Sequence, residues 1–281
     1  MKFGLGLPGT KPEELLDWGR RADAGPFTTV GILDRMLYGN PEPLVTLAAI
    51  AGATSRLRVQ TEVLLVPLRD PALVAKQAAT LDRISGGRFT LGIGLGARTD
   101  DYQAAGVDTK GRGQRLDEQM ALIRRLWAGE EMPGLGPVGP APLTPGGPEV
   151  LVGAFVPAAI ERTARCADGF ISAAPVEYTD PMFRAVEAAW TKEGRSGQPR
   201  LVGQCNVALG SQQVVDEGRR IIGDYYAFMP EPQQIVDGML TSPEQIRAAV
   251  KAYGDMGADE VIFYCWSPEI DQLDRLADLV G

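Results

Sequence analysis

The sequence predicts a single (β/α)8 barrel, a TIM barrel of the α/β class, spanning 1–281 as one domain with a short insertion after its seventh strand. Eight short runs rich in Val, Ile, Leu and Phe recur from end to end of the chain. Between them the period becomes helical, the alternation expected of parallel strands joined by crossover helices. Most of the runs are apolar on both alternations, as in Val63-Leu64-Leu65-Val66 and Val261-Ile262-Phe263, which suits strands covered on both faces. Dividing 281 residues by about 150 gives two domains, yet barrels of about 250 residues fold as one.

In chain order the predicted strands are Phe3–Leu7, Thr28–Leu33, Arg58–Val66, Arg88–Leu95, Glu149–Ala154, Gly169–Ala173, Leu201–Leu209 and Glu260–Trp266. After the first, Thr10…Glu13 fits a capping box. After the third, Pro71 opens a helix with a stripe of Val74, Ala78, Leu81 and Ser85. The fourth strand ends in Gly92-Ile93-Gly94-Leu95-Gly96-Ala97, nominally the GxGxxA of a doubly wound dinucleotide fold. That fingerprint should open a helix at once, whereas Arg98-Thr99-Asp100-Asp101 begins a polar stretch reaching Gly113. Leu116, Met120, Ile123 and Trp127 then form the next helical stripe. Glu130 to Pro148 is dominated by Pro and Gly and reads as an irregular, solvent-facing connector at the non-catalytic end. Gly210 to Thr241 follows the seventh strand and therefore lies over the catalytic end. Its Tyr225, Tyr226, Phe228 and Met229 serve either a lid over substrate or extra packing. Ser242…Gln245 is a second capping box, with Pro243 at the first helical position.

Composition excludes several chemistries. The chain has no histidine, which rules out Ser-His-Asp and Cys-His catalysis and every His-containing metal site. No metal site is expected. With 28 Lys+Arg against 36 Asp+Glu the net charge is −8, and no basic cluster offsets it, so a nucleic-acid partner is not expected. Cys166, Cys205 and Cys265 form no CxxC and read as reduced, mostly buried thiols. The start Met1-Lys2-Phe3-Gly4 leads into a short apolar run without signal-peptide architecture, and the longest apolar run, around Val63 to Val66, is too short to cross a bilayer. A soluble, cytoplasmic protein acting on a small molecule is the expectation.

Three segments resemble a known family: Leu65-Val66-Pro67-Leu68-Arg69-Asp70-Pro71, Ala75-Lys76-Gln77-Ala78-Ala79-Thr80-Leu81-Asp82-Arg83-Ile84-Ser85-Gly86-Gly87-Arg88, and Leu91-Gly92-Ile93-Gly94-Leu95-Gly96. The likeness continues through Arg112-Gly113, Asp117-Glu118 and Leu126-Trp127, then Leu151-Val152-Gly153, Ala167-Asp168-Gly169-Phe170 and Gly257-Ala258-Asp259-Glu260-Val261. Together they resemble the luciferase-like monooxygenase superfamily over nearly the whole chain. The resemblance implies a TIM-barrel oxidoreductase using coenzyme F420 or, alternatively, FMN, and a homodimer. The activity implied is hydride transfer between F420 and a small organic substrate, by C=C or C=N reduction or alcohol oxidation. The rivals are an FMN-dependent monooxygenase using reduced flavin and oxygen, and a non-catalytic flavin-binding barrel.

Site residues follow from where strands end. Gly94 and Gly96 lack side chains, so a flat ring and its tail can pass close to the backbone. Gly153, Ala154, Phe155 and Ala158 lead into a helix whose free N–H groups attract a phosphate, and the resemblance places the cofactor's phosphate there. Arg69 either adds charge nearby or pairs with Asp70 or Asp82. By resemblance, a non-prolyl cis peptide backing the ring falls between Glu62 and Val63. Glu62 is a carboxylate on an otherwise apolar strand. Burial would make it a proton donor, unless it pairs with Arg35, Arg58 or Arg98. Tyr38 and Asp100 are the other candidate proton donors, and Asp34 and Asp100 candidate cofactor contacts. Arg35 stands where relatives often carry histidine. Ala97 stands where the F420-dependent sugar-phosphate dehydrogenases keep a glutamate, which argues against that activity.

Overall fold

The structure, a computed structural model, describes residues 1–9 and 11–281. In chain order its elements are β1 (Lys2–Gly6), α1 (Pro12–Ala24), β2 (Thr29–Ile32), α2 (Pro43–Ala53), β3 (Arg58–Thr61), β4 (Leu64–Leu65), α3 (Pro71–Ser85), β5 (Phe89–Gly94), α4 (Thr99–Ala104), α5 (Arg112–Trp127), β6 (Glu131–Met132) and β7 (Gly136–Pro137). There follow β8 (Glu149–Gly153), α6 (Pro157–Cys166), β9 (Gly169–Ser172), α7 (Val176–Lys192), β10 (Arg200–Val207), α8 (Gln212–Tyr226), α9 (Pro232–Asp237), α10 (Pro243–Asp255), β11 (Glu260–Cys265) and α11 (Gln272–Val280). Parallel pairing runs β3-β2-β1-β11-β10-β9-β8-β5 and closes through β3–β5, so the sheet is a closed barrel of eight parallel staves.

The stripes predicted for α3 and α5 are buried against that barrel, as are the strands' outward residues such as Leu5, Val59, Phe89 and Phe263. The barrel interior is itself packed, by Leu151, Ile171, Val202 and Ile262 with Val63 above them. Below this layer a charged plug closes the N-terminal end. Arg200 bridges Glu149 and the fully buried Glu260, Thr28 Oγ1 donates to Glu260 at 2.7 Å, and Arg58 lies 3.6 Å from Glu149.

Four expectations need correction. The third stave is not one strand over Arg58–Val66: it breaks into β3 and β4 around a cis peptide between Glu62 and Val63, the place the resemblance implied. The stretch after β5 contains a short helix, α4. The Pro- and Gly-rich connector carries a small antiparallel β6–β7 hairpin, because Gly134 and Gly136 adopt the positive φ a tight turn needs. The excursion after β10 is mostly helical, with α8 and α9. The capping box expected at Ser242 and Gln245 is present, whereas the one expected at Thr10 lies outside the described residues. All three cysteines are free, with Cys265 buried and Cys166 and Cys205 half-buried. No helix among the described residues is long and apolar enough to cross a membrane.

Candidate active site

The ends of β2, β4, β5, β8, β9, β10 and β11 surround a cavity of about 430 Å³ at the C-terminal face of the barrel, within the range of ordinary ligand sites. This is the face where barrel chemistry is built, because the βα loops that follow the strands converge there. Of the residues singled out in the sequence, Asp34, Glu62, Val63, Gly94, Gly96, Gly153, Ala154 and Phe155 line it.

Val63 defines the floor. A Cβ on Gly94 would lie 2.4 Å from Val63 Cγ2, and one on Gly153 would lie 2.9 Å from Val63 Cγ1. The expectation that a ring passes close to the backbone at Gly94 is therefore corrected: Gly94, with Gly153, makes room for Val63, and a ring above them would rest on its isopropyl group. Gly96 has φ +71°, the left-handed turn that glycine adopts freely.

Glu62 is 9% exposed, and neither Arg35, Arg58 nor Arg98 pairs with it. Its Oε1 accepts a 3.1 Å hydrogen bond from Gln60 Nε2, and its Oε2 has no partner. Gly31 admits the carboxyl, since a Cβ there would sit 2.2 Å from Oε1. Burial raises the Glu62 carboxyl to about 8; the Gln60 bond opposes this only in part, and the Glu260 charge adds to it. At that value the group is mostly protonated at pH 7.

The remaining candidates separate. Asp34 is fixed by Arg69, at 3.0 Å, and by the Leu65 N–H, at 2.9 Å. Arg69 also reaches Glu42, so neither Asp70 nor Asp82 is its partner. Burial raises the Asp34 carboxyl, against the lowering effect of Arg69. Asp100 does not line the cavity, and its carboxylate is held by Arg98. Its neighbour Asp101 does line it, buried and 2.5 Å from Arg35 Nε, and it also accepts from the Met36 and Leu37 N–H groups. Tyr38 stands behind Tyr225, edge to face at 5.1 Å, away from the lining. Ala158 is exposed beyond the lining, within the first turn of α6. That helix has no side-chain N-cap; Pro157 carries no N–H and the Ala159 and Ile160 N–H groups donate to the Val156 carbonyl at 3.0 and 3.2 Å, which leaves the Ala158 N–H facing outward for an anion.

Sequence reasoning missed Gln204, Tyr264, Trp266 and Arg112, which also line the cavity. Period-2 alternation on the inner face of β11, continuing Glu260 and Ile262, would have pointed at Tyr264 and Trp266. Arg112 Nη1 donates to the Gly96 carbonyl at 3.1 Å, a contact that only the fold creates. Tyr225, Tyr226 and Phe228 reach the cavity from the end of α8 and the turn beyond it.

The family described as luciferase-like monooxygenase matches residues 2–239. An F420-dependent glucose-6-phosphate dehydrogenase of Nakamurella multipartita is 32% identical over 209 residues, 66% of this chain and 60% of that protein. An uncharacterized protein of Mycobacterium bovis is 36% identical over 173 residues, 57% of this chain and 60% of its own length. The chain thus spans about 60% of the length of these curated relatives. Among solved structures, a monooxygenase from Streptomyces bottropensis superposes with a TM-score of 0.82 at 24% identity, covering 99% of this chain and 97% of that one. An F420-dependent secondary alcohol dehydrogenase in complex with an F420–acetone adduct gives 0.81 at 16% identity, covering 99% and 97%. At these identities the likeness shows the fold.

Proposed function

The chain belongs to the luciferase-like monooxygenase family, and on that premise we propose that it is an oxidoreductase transferring hydride between coenzyme F420 and a small organic substrate. The single observation that carries this reading is Glu62, a buried carboxyl raised to about 8, lining the cavity beside Val63 with one oxygen unpartnered. A neutral acid of this kind holds a proton at pH 7 for delivery to whichever substrate atom gains electron density, and takes it back in the reverse, alcohol-oxidising direction.

The residues present fit a flavin-like cofactor. Val63, seated against Gly94, offers an apolar surface for the ring with Gly96 beside it, Gly153, Ala154 and Phe155 lead to the Ala158 N–H in the first turn of α6 for a phosphate, and Arg112 adds a cation. Asp34, tied to Arg69, holds the β4 backbone in place through the Leu65 N–H. When bound, the deazaflavin would supply or accept the hydride. The protein supplies orientation, the apolar floor that keeps water away, and the Glu62 proton. Tyr38 and Asp100 stand outside this machinery, the first packing Tyr225 and the second neutralising Arg98. The partners proposed are a small molecule and a second copy of the chain.

Titrating the purified protein with F420 and separately with FMN, followed by fluorescence quenching, tests the reading. Micromolar binding of F420 is expected, together with no oxygen consumption when substrate is turned over. Binding of FMN alone, with oxygen consumed once it is reduced, replaces this reading with a flavin monooxygenase; binding of neither cofactor ends it.

A further inference from the structure

Beyond the cofactor residues the cavity has a second wall built from rings, and resting on the reading above we infer that the substrate is an uncharged, planar aromatic compound that stacks on this wall. Tyr225 and Tyr226 lie 5.2 and 6.1 Å from the Trp266 ring, and Tyr264 lies 5.4 Å from it. Tyr226 and Phe228 are stacked at 26° with centroids 6.4 Å apart, which carries the ring surface outward to the rim, where Phe228 is 38% exposed. The rings are fixed. Trp266 Nε1 donates to Asn206 Oδ1 at 2.8 Å, and the Arg98 guanidinium sits 4.7 Å over Phe228. Rigid rings offer a large contact area at little entropic cost and prefer flat, quadrupolar partners over aliphatic ones.

Charge narrows the class further. The cations lining the cavity are Arg35, Arg98 and Arg112. Arg35 is neutralised by Asp101 and Arg98 by Asp100, both beside the aromatic wall. Arg112 is bound to Gly96, at the strand end assigned to the cofactor. Glu62 is neutral. Arg35 Nη2 is left on the aromatic side as an unpartnered donor, but the charges of Arg35 and Arg98 are matched by Asp101 and Asp100, so an anionic substrate such as a sugar phosphate would find no net positive charge there and would lose its hydration. An uncharged aromatic loses little and gains the stack.

The test uses protein saturated with whichever cofactor binds, and isothermal calorimetry with three probes: 2-naphthol, its saturated analogue 2-decalol, and glucose 6-phosphate. The structure predicts that 2-naphthol binds at least about fivefold tighter than 2-decalol and that glucose 6-phosphate gives no heat. Phe228→Ala, at the exposed rim of the wall, should weaken 2-naphthol about threefold to tenfold and leave cofactor affinity unchanged, while Phe228→Tyr should restore it. Equal affinity for the flat and saturated probes, preferential binding of glucose 6-phosphate, or an unaffected Phe228→Ala variant overturns the substrate class while the cofactor reading stands. If neither cofactor binds in the preceding titration, both fall together.

Discussion

Glu62 occupies a position that only a glycine at residue 31 leaves open, and its proton follows from that confinement. The folded carboxyl, at about 8 against an ordinary 4.5, keeps its proton over a window in which the unfolded chain has lost it. Unfolding free energy should therefore fall as pH rises from about 4.5 to 8, by roughly 5 kcal/mol at most, and then level. Urea melts at pH 6 and pH 9 should show the part of this loss that lies above pH 6, roughly 3 kcal/mol, in the native protein and much less of it in Glu62→Gln. The same variant should bind cofactor normally yet lose about 100-fold or more in turnover, and native turnover should decline as pH passes about 8. Gly94 gives a second prediction. Gly94→Ala drives a methyl into Val63 and should cost about 1–3 kcal/mol of stability, while the Gly94→Ala, Val63→Ala double variant should recover most of it. A bare floor at Gly94 is the natural inference from the alternating Gly92, Gly94 and Gly96. What fills the space above Gly94 is a residue from another strand, which spacing along one chain does not reveal.

The elements were legible to different depths. The stripes at Val74, Ala78 and Leu81, and at Leu116, Met120 and Ile123, mark buried helix faces because helical period and burial are the same fact seen twice. The break in the third stave was legible only by resemblance: Arg58–Val66 is uniformly strand-like, and nothing local interrupts it. The segment after β10 is divided in the sequence between lid and packing, and the structure shows the packing together with rings that line the cavity. Val215 and Ile222 of α8 pack with Leu33 and Tyr264, while Tyr225 and Tyr226 at its end face the cavity. The plug at the opposite end was invisible as a set, because Arg58, Glu149, Arg200 and Glu260 meet only once the barrel closes. Arg200→Met should cost about 3–5 kcal/mol in denaturant melts, since it leaves the fully buried Glu260 without its cation.

For the molecule as a whole, the barrel was readable because eight apolar runs separated by helical ones admit few closed arrangements, and the handedness of crossovers admits fewer. The site was readable in outline, since strand ends define the active face, but not in its partners: Asp101 braces Arg35, and Asp34 serves Arg69. Assembly belongs to this scale too. Light scattering on the purified chain should give a mass near twice 30.1 kDa, and a monomer at micromolar concentration would remove the homodimer. The chemistry assigned to the barrel reduces to one neutral acid held beside Val63 at its rim. The most direct measurement is a carboxyl-carbon NMR titration of the protein with labelled glutamate, run beside Glu62→Gln. One resonance, absent from the variant, should titrate near pH 8; a Glu62 signal titrating in the ordinary range near 4.5 would contradict the account.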